Sequence, residues 1–323
     1  MRMTFALRIA IGIFTACLAV GGLRAEDVYK GAIITDAATG KVLFEDNADI
    51  VSPPASITKL MTFLIVHDRL ASGAITLQTP VPVGAASSKI GGTQVWLKQG
   101  ESFPVEEMLY ALMIQSANDC AHALALAVAG SVDAFVDLMN QRAASLGMTH
   151  TTFRSPHGLP PANRKIADGD LTSPRDLATL SRYLLQNTDI LKYSSVTERS
   201  FRAGSPDARI DMRNHNHLLE NVEGVDGLKT GYTRGAGFCL AATARRDGRR
   251  IIAVIMGSPA AKTRDLKMAE LIQRGFALLP PTDSPLSVAP LPAEQPAVRP
   301  QAPAPESVPA DDTPVIKFSI PKR

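Results

Sequence analysis

The sequence predicts an α+β fold in which an antiparallel β-sheet packs against a cluster of helices. Three features of the apolar pattern indicate this arrangement. A strand-like hairpin comes first, segments with helical apolar spacing fill the middle, and three strand-like runs precede a closing amphipathic helix. The order of these elements contains no internal repeat.

The first predicted element is a hairpin. Residues 32–35 and 41–44 are rich in strand-forming residues, and Ala38-Thr39-Gly40 between them is typical of a turn. Pro53-Pro54 ends this region and opens a helix, because proline in a first helical turn removes no needed hydrogen bond. Gly73 ends this helix, whose apolar positions include Leu60, Phe63 and Leu64.

The middle of the chain predicts further helices. Pro104 starts one, Asn118 begins an alanine-rich one at 119–129, and residues 133–146 form another. Thr172-Ser173-Pro174 caps the next, with Asp176 as the acid of a capping box. The last predicted elements are strands at 228–233, 237–242 and 250–256 and an amphipathic helix at 262–279.

Composition excludes some classes of partner. The chain has 323 residues, 45% of them hydrophobic and 20% charged, with a formal net charge of +3. No dense Lys/Arg tract with interleaved aromatic residues is present, so no nucleic-acid partner is expected. The folded domain is predicted to cover residues 26–279.

The N-terminus has the pattern of a secretory signal peptide. Arg2 and Arg8 precede the apolar run 9–20, and small or polar residues follow as far as Ala25, where cleavage is expected. The apolar run is shorter than the roughly 20 residues that span a bilayer, which favours export with cleavage over retention as an anchor. The sequence before Cys17 is a poor lipobox, so a lipoprotein is a weaker alternative.

The C-terminal segment changes in composition. Residues 280–314 contain eleven prolines and no glycine, which predicts an extended or disordered tail over 280–323. This tail has neither a long apolar span nor a long amphipathic helix. Membrane anchoring is therefore not expected, and we expect a soluble protein of the periplasm after cleavage.

Two residues near the start of the first helix suggest covalent catalysis. Ser56 and Lys59 are three residues apart, which places them on one helix face. A helix N-terminus favours developing negative charge, and a lysine becomes a base when burial and a second cation lower its pKa. Lys229 is a candidate for that cation. The spacing alone is weak evidence, since Ser319 and Lys322 in the tail repeat it.

Two further motifs follow in order. Ser116-Ala117-Asn118 lies between two predicted helices, where polar side chains either reach a cleft or cap the second helix. Lys229-Thr230-Gly231 lies on a predicted strand, where Gly231 permits close approach of another backbone and Thr230 supplies a hydroxyl. Together the three motifs contain the groups required for acyl transfer through a serine ester.

In the longer segments that surround the three motifs, the chain resembles the low-molecular-mass D-alanyl-D-alanine carboxypeptidases of the penicillin-binding protein family. The resemblance rests on four sequence segments: Pro54-Ala55-Ser56-Ile57-Thr58-Lys59-Leu60-Met61-Thr62, Gln115-Ser116-Ala117-Asn118-Asp119, Pro156-His157-Gly158-Leu159 and Gly227-Leu228-Lys229-Thr230-Gly231-Tyr232-Thr233. The resemblance covers about residues 27–279. It implies a β-lactamase/transpeptidase-like fold, a peptidoglycan pentapeptide substrate and acylation by β-lactams.

The resemblance also implies roles for individual residues. Ser56 would form the acyl-enzyme with Lys59 as general base, Ser116 would relay a proton to the leaving D-alanine, and Asn118 would bind the substrate's amide backbone. Lys229 would support the proton network, and Thr230 with Gly231 and the following strand would bind the terminal D-Ala. Backbone N–H groups of Ser56 and Tyr232 would form the oxyanion hole. Arg250 either attracts the terminal carboxylate or is a solvated cation, and His157 shapes the cleft loop.

Rival functions remain open on the sequence. A class A β-lactamase needs a glutamate that activates the deacylating water, and residues 155–170 contain none. A DD-endopeptidase that cuts crosslinks is a nearer alternative, and Asp119 favours the carboxypeptidase. A non-catalytic peptidoglycan scaffold would have no need of the complete residue set.

No metal or cofactor is expected. His215 and His217 share a predicted strand face, but no His-Glu-x-x-His motif or carboxylate cluster accompanies them, so a polar surface pair is the favoured interpretation. Cys120 and Cys239 lie in apolar segments, which favours buried free thiols.

Overall fold

The computed structural model of the protein describes residues 28–280. The predicted leader and almost all of the predicted tail lie outside the described residues. Among those described, the main feature is a five-stranded sheet with the strand order β2-β1-β9-β8-β7, in which each neighbouring pair is antiparallel. The strand β7 is therefore an edge strand. The sheet unites the two ends of the described chain, as expected for the predicted α+β fold.

The strands are β1 (Gly31–Asp36), β2 (Val42–Asp46), β3 (Pro80–Pro82), β4 (Ser102–Pro104), β5 (Glu198–Phe201), β6 (Ile210–Arg213), β7 (Val225–Thr233), β8 (Gly237–Arg246) and β9 (Arg249–Ser258). The helices are α1 (Lys59–Ala71), α2 (Val105–Met113), α3 (Asn118–Ala129), α4 (Val132–Ser145), α5 (Pro174–Asn187), α6 (Ile190–Ser194), α7 (Leu218–Asn221) and α8 (Ala261–Leu278). Short 3-10 turns connect some of them, and the one at Ala55–Thr58 leads directly into α1.

Both faces of the sheet are buried. Because side chains alternate along a strand, Ile252 and Val254 of β9 face the main helical cluster while Ile251 and Ile255 face α8. The second face is completed by apolar side chains of the closing helix: Met268, Leu271 and Ile272. This double coverage explains why β9 reads as a continuous apolar run in the sequence.

The predicted hairpin, central helices, last three strands and closing helix are confirmed. The sequence did not reveal the two small two-stranded sheets, β3–β4 and β5–β6. Ser173 caps α5 as predicted, with its Oγ accepting the Asp176 N–H at 3.1 Å. The Asp176 carboxylate, however, accepts hydrogen bonds from the His150 N–H and the Thr151 hydroxyl instead of completing a capping box.

Within residues 28–280, no single helix combines the length and apolar character needed to cross a membrane; α3 and α4 meet that test only together, as a pair bent by 87°. The same residues contain no group of three or more His, Cys, Asp or Glu side chains arranged to hold a metal ion. Cys120 and Cys239 are both buried and form no disulfide with each other.

Candidate active site

The serine of the first motif lies at the junction of strand β7 and helix α1. Ser56 is in the 3-10 turn that leads into α1, not in the first α-helical turn itself. Two glycines enclose its backbone. A Cβ at Gly231 would lie 2.6 Å from the Pro54 carbonyl oxygen and 3.0 Å from the Ser56 nitrogen, and a Cβ at Gly158 would overlap the Ala55 carbonyl. The close packing of these segments therefore requires glycine at both positions.

Lys59 is fully buried with its amine directed at this serine. Its Nζ lies 3.0 Å from Ser56 Oγ, 2.6 Å from Asn118 Oδ1 and 2.8 Å from the His157 carbonyl oxygen. Burial lowers the pKa of Lys59 well below its ordinary value, and the charge of Lys229 lowers it further. The direction of this effect is the one expected if Lys229 is the second cation.

This geometry defines what a neutral Lys59 can do. A neutral amine has two N–H groups and one lone pair, and the Asn118 and His157 oxygens are acceptors without a proton to give. They occupy both N–H groups, so the lone pair is left for the hydroxyl of Ser56. The arrangement is that of a base held beside a nucleophile.

Asn118 connects three parts of the site. Its Oδ1 accepts from Lys59, its Nδ2 donates to the Gly91 carbonyl at 2.8 Å, and its backbone N–H donates to the Thr93 carbonyl at 2.8 Å. One hydrogen of the side-chain amide has no role in these contacts. The neighbouring Asp119 fixes the same loop, because its carboxylate accepts the N–H groups of Val95, Leu97 and Cys120.

Ser116 has an unusual backbone and an unsatisfied hydroxyl. Its φ is 61°, its side chain is buried, and its Oγ has no hydrogen-bond partner. The alternative that it caps α3 is wrong, because the N-cap is Ala117 and no side chain caps that helix. A buried, unpartnered hydroxyl on a strained backbone is typical of a functional position.

Lys229 lies on β7 and is also buried. Its Nζ donates to the Thr230 carbonyl at 3.1 Å. Burial, followed by the charge of Arg264, lowers the pKa of Lys229 to about 7. Beyond Gly231 on the same strand, Tyr232 is exposed and stacks on Phe238 with ring centroids 4.1 Å apart.

His157 belongs to the wall of the site through its backbone. Its carbonyl accepts from Lys59, and its ring Nδ1 accepts the Leu159 N–H at 3.2 Å. Burial and the charge of Lys59 lower the pKa of His157 to about 3, so its ring is neutral at physiological pH. These contacts agree with the prediction that it shapes the cleft loop.

The structure does not bring Arg250 to this site. Both of its terminal nitrogens donate to Asp226, at 2.6 and 2.7 Å, and one also donates to Thr243 Oγ1 at 2.9 Å. Arg250 pairs with Arg245 on β8, whereas Lys229 pairs with Ala241, which lies about 13 Å farther along that strand. The suggested role in attracting a carboxylate is therefore wrong, and so is the solvated alternative.

Sequence reasoning missed Arg264, in the first turn of α8. This arginine is 4% exposed, donates to the Cys239 carbonyl at 3.4 Å and pairs with Asp265. Its charge acts on Lys229. The helical spacing of the sequence could have revealed that this arginine is buried, because Arg264 lies on the buried face of α8 together with Met268, Leu271, Ile272 and Gly275.

His215 was also misjudged. It lies in the loop between β6 and α7 and not on a strand. Asn214 and Asn216 anchor this loop, through bonds to the Ser194, Val196 and Gly227 carbonyls. Burial, followed by the charge of Lys229, lowers the pKa of His215 to about 4. The prediction of a polar surface pair therefore fails for this histidine.

Comparison with known proteins agrees with this geometry. The model of the D-alanyl-D-alanine carboxypeptidase family matches residues 24–260. The D-alanyl-D-alanine carboxypeptidase DacF of Bacillus subtilis is 35% identical over 248 residues, which cover 77% of this chain and 62% of that protein. A D-alanyl-D-alanine endopeptidase of Pseudomonas aeruginosa is 33% identical over 220 residues, covering 68% of this chain and 67% of the relative.

Comparison with solved structures shows similarity to penicillin-binding proteins. Penicillin-binding protein 6B from Escherichia coli superimposes with a TM-score of 0.71 at 34% identity, covering 78% of each chain. The chain spans about three fifths of the length of the carboxypeptidase relatives that it matches. The extent of the family match and the identity to its members lead to one conclusion: this chain belongs to the D-alanyl-D-alanine carboxypeptidase family.

Proposed function

We propose that the protein is a serine D-Ala-D-Ala carboxypeptidase that removes the terminal D-alanine from peptidoglycan pentapeptide stems. One observation carries the proposal: the fully buried Lys59 has its Nζ 3.0 Å from Ser56 Oγ, with the Asn118 and His157 oxygens placed to occupy its N–H groups. Penicillins, which carry a reactive amide, would acylate the same serine.

The proposed reaction has two halves. Lys59 takes the Ser56 proton as Oγ attacks the carbonyl of the penultimate D-alanine, and the backbone N–H groups of Ser56 and Tyr232 stabilise the oxyanion. The C–N bond then breaks as the unpartnered hydroxyl of Ser116 passes a proton to the leaving amine, and the proton that Lys59 took from Ser56 replaces it, so that Ser116 is a hydroxyl and Lys59 a neutral amine again. Water hydrolyses the resulting ester, with Lys59 again acting as base.

Two buried cations, one in the middle of β7 and one in the first turn of α8, support recognition of the free carboxylate. Lys229 and Arg264 are both buried and interact electrostatically, and Thr230 adjoins Lys229 on the strand. A carboxylate there would be held by charge-assisted hydrogen bonds and would stabilise the protonated form of Lys229. The second amide hydrogen of Asn118 would be available to the substrate backbone.

The test is acylation and D-alanine release by the purified protein. We expect a fluorescent penicillin to label the chain and a pentapeptide ending in D-Ala-D-Ala to lose one D-alanine. Ser56→Ala should abolish both activities, whereas Ser72→Ala, at an exposed serine beyond the end of α1, should retain both. Labelling that survives Ser56→Ala would show that another residue is the nucleophile.

A DD-endopeptidase is the second candidate, favoured by the similarity to the Pseudomonas aeruginosa protein. Digestion of purified muropeptides separates the two activities, since an endopeptidase converts crosslinked dimers to monomers and a carboxypeptidase shortens pentapeptides. Hydrolysis of penicillin as a main activity is disfavoured. Asp170 is the buried acid of the 155–170 loop, and its carboxylate already accepts hydrogen bonds from Thr58, Arg154 and Ser155.

We also propose that the enzyme acts in the periplasm after removal of residues 1–25. The support is the charged, apolar and small-residue pattern of that segment, together with a substrate class found outside the cytoplasm. Fractionation of cells and N-terminal sequencing of the mature protein test this proposal. A mature chain that begins at Met1 in the cytoplasm would contradict it.

A further inference from the structure

Asp170 is a buried acid whose carboxylate accepts four hydrogen bonds. The hydroxyls of Thr58 and Ser155 donate to Oδ2 at 3.1 and 2.8 Å, and the N–H groups of Arg154 and Ser155 donate to Oδ1. Among residues 28–280, no lysine, arginine or histidine forms an ion pair with Asp170. Burial raises the pKa of Asp170, and the four hydrogen bonds act against this rise. Because all four partners donate, the arrangement suits an ionised carboxylate.

The carboxylate of Asp170 fixes the turn that contains His157. The hydroxyl of Ser155 donates to Asp170 and at the same time accepts the Gly158 N–H at 2.9 Å. This pair of bonds closes the turn around His157, whose carbonyl oxygen lies 2.8 Å from Nζ of Lys59. Asp170 therefore holds in place one of the two oxygens that occupy the N–H groups of the amine.

The same carboxylate also binds the turn that carries the nucleophile. Thr58 lies between Ser56 and Lys59, at the end of the 3-10 turn, and its side chain does not cap α1. Its buried hydroxyl donates to Asp170 instead. One charged group thus connects the segment that contains both Ser56 and Lys59 to the turn that directs the amine.

Asp170 influences Lys59 through its charge as well, although none of its four hydrogen bonds reaches Lys59 or Ser56. Burial lowers the pKa of Lys59 most, the charge of Lys229 lowers it further, and the charge of Asp170 acts in the opposite direction. The other groups that interact electrostatically with Lys59 are the side chains of Asp119 and Cys120 on α3 and the rings of His157 and His215. A substitution at Asp170 leaves all of these in place.

We propose that Asp170 is a positioning residue for acylation, whose carboxylate holds the His157 carbonyl against Lys59 and so keeps the lone pair of the amine directed at Ser56. Asp170 itself transfers no proton, because donors already surround both of its oxygens. The inference rests on the proposed carboxypeptidase function, and it adds a residue that lies outside the three catalytic motifs.

Asp170→Asn tests this role. The amide has nearly the same size, but its NH₂ group donates where the carboxylate accepts, so at least one of the two turns loses its hydrogen bond. Acylation rates at increasing benzylpenicillin concentration give the dissociation constant of the non-covalent complex and the first-order acylation constant. We expect the acylation constant at its high-pH plateau to fall by about 10- to 100-fold, because the reacting groups are misplaced, with little change in the dissociation constant.

The pH profile of Asp170→Asn supplies a readout that a purely structural role would not change. Removal of the negative charge should lower the pKa of Lys59, so the acid limb of acylation should move to lower pH even as the plateau falls. Ser155→Ala breaks the link to Gly158 but keeps the charge of Asp170. This variant should lower the plateau as well, with a smaller movement of the acid limb.

Asp168→Asn is the matched control, since Asp168 is exposed in the same loop and accepts a side-chain hydrogen bond from Asn163. Both the plateau and the acid limb should match those of the wild-type protein. Normalising each rate to the fraction of protein that penicillin finally labels removes any contribution from misfolded molecules.

A wild-type acylation constant in Asp170→Asn, or a loss confined to the dissociation constant, would overturn the positioning role. If Asp170→Asn does not fold, Ser155→Ala decides, and an unchanged plateau in that variant would overturn the proposal. Absence of penicillin labelling in the wild-type protein would instead overturn the proposed function.

Discussion

The side-chain amide oxygen of Asn118 lies 2.6 Å from Nζ of Lys59, although the two residues are 59 positions apart. This contact joins the first residue of α3 to the first residue of α1. A neutral amide at this position accepts one N–H of Lys59 without adding charge, so it directs the amine without raising its pKa.

Asn118→Asp should therefore slow acylation. A carboxylate beside Lys59 favours the ammonium form and raises the Lys59 pKa by about 1–3 units. The second-order rate constant for penicillin acylation at neutral pH should fall by roughly 10- to 1000-fold, with part of the loss recovered as the pH rises. Measuring this rate constant between pH 6 and 10 checks the prediction. A loss that does not depend on pH would mean that Asn118 does not act through Lys59.

Lys229 should influence the pH dependence of the same step. Its charge lowers the pKa of Lys59, so Lys229→Met should raise that pKa and move the acid limb of acylation to higher pH. Arg264→Gln is a useful comparison, because removal of its charge should raise the pKa of Lys229 above about 7. The pH profiles of both variants against the wild-type protein test these directions. An acid limb that moves to lower pH in Lys229→Met would contradict the electrostatic account.

Because Lys229 is buried, its side chain should lower the free energy of unfolding of the protein at neutral pH. Its folded pKa of about 7 lies below the ordinary lysine value of 10.5, so between these values the unfolded chain binds a proton that the folded chain lacks. The free energy of unfolding contributed by this residue then rises with pH by about 1.4 kcal/mol per unit. Lys229→Met should show its largest stability relative to wild type at or below pH 7, with the difference shrinking toward pH 10. Urea unfolding of both proteins at several pH values measures this difference, and a constant difference would refute the shifted pKa.

Gly231→Ala should disrupt the packing of β7 against the nucleophile. The added Cβ would lie 2.6 Å from the Pro54 carbonyl oxygen, so the strand or the Ser56 turn must move. We expect a destabilisation of about 1–3 kcal/mol and a marked loss of acylation. Gly84→Ala is the matched control, since a Cβ there meets nothing within 4 Å. Equal behaviour of the two variants in unfolding and penicillin-labelling assays would argue against this close contact.

Substitution of Arg250 should mainly lower stability, whereas substitution of Arg264 should mainly weaken substrate recognition. Arg250→Gln removes a two-pronged ion pair with Asp226 that is partly buried, and should cost about 1–2 kcal/mol of stability with little change in KM. Arg264→Gln should instead raise KM for a peptide with a free C-terminal carboxylate more than for its C-terminal amide. Kinetics with this peptide pair and thermal unfolding of both variants provide the measurements. A selective KM effect for Arg250→Gln would show that its pairing with Asp226 is not maintained when substrate binds.

The features that could be predicted from the sequence are those set by residues close to one another along the chain. The hairpin β1–β2, the helix α1 and the strands β7–β9 have local apolar patterns that a reader can recognise, and all were predicted. The three motifs were also recognisable because their residues are close in sequence. The strands β3, β4, β5 and β6 are three or four residues long, which is too short for an alternating apolar pattern to be recognised in the sequence.

The misplaced site residues depended on contacts between distant segments. Arg250 was considered for the site because it opens a strand beside Lys229, but strand register moves it along the sheet toward Asp226. Arg264 was overlooked because it lies among other charged residues of α8, and only the packing of that helix brings it near Lys229. His215 was assigned to a strand, although its asparagine neighbours form a loop anchored to carbonyl groups of other segments.

The central claim is that Lys59 is a neutral base beside Ser56, and the pKa of Lys59 tests it most directly. NMR of protein labelled with ¹³C at the lysine Cε position resolves each amine, and the spectrum of Lys59→Arg assigns the signal of Lys59. We predict that this signal changes to that of a neutral amine at a pH well below the ordinary lysine pKa of 10.5. A Lys59 signal that remains that of an ammonium up to pH 9 would contradict the account.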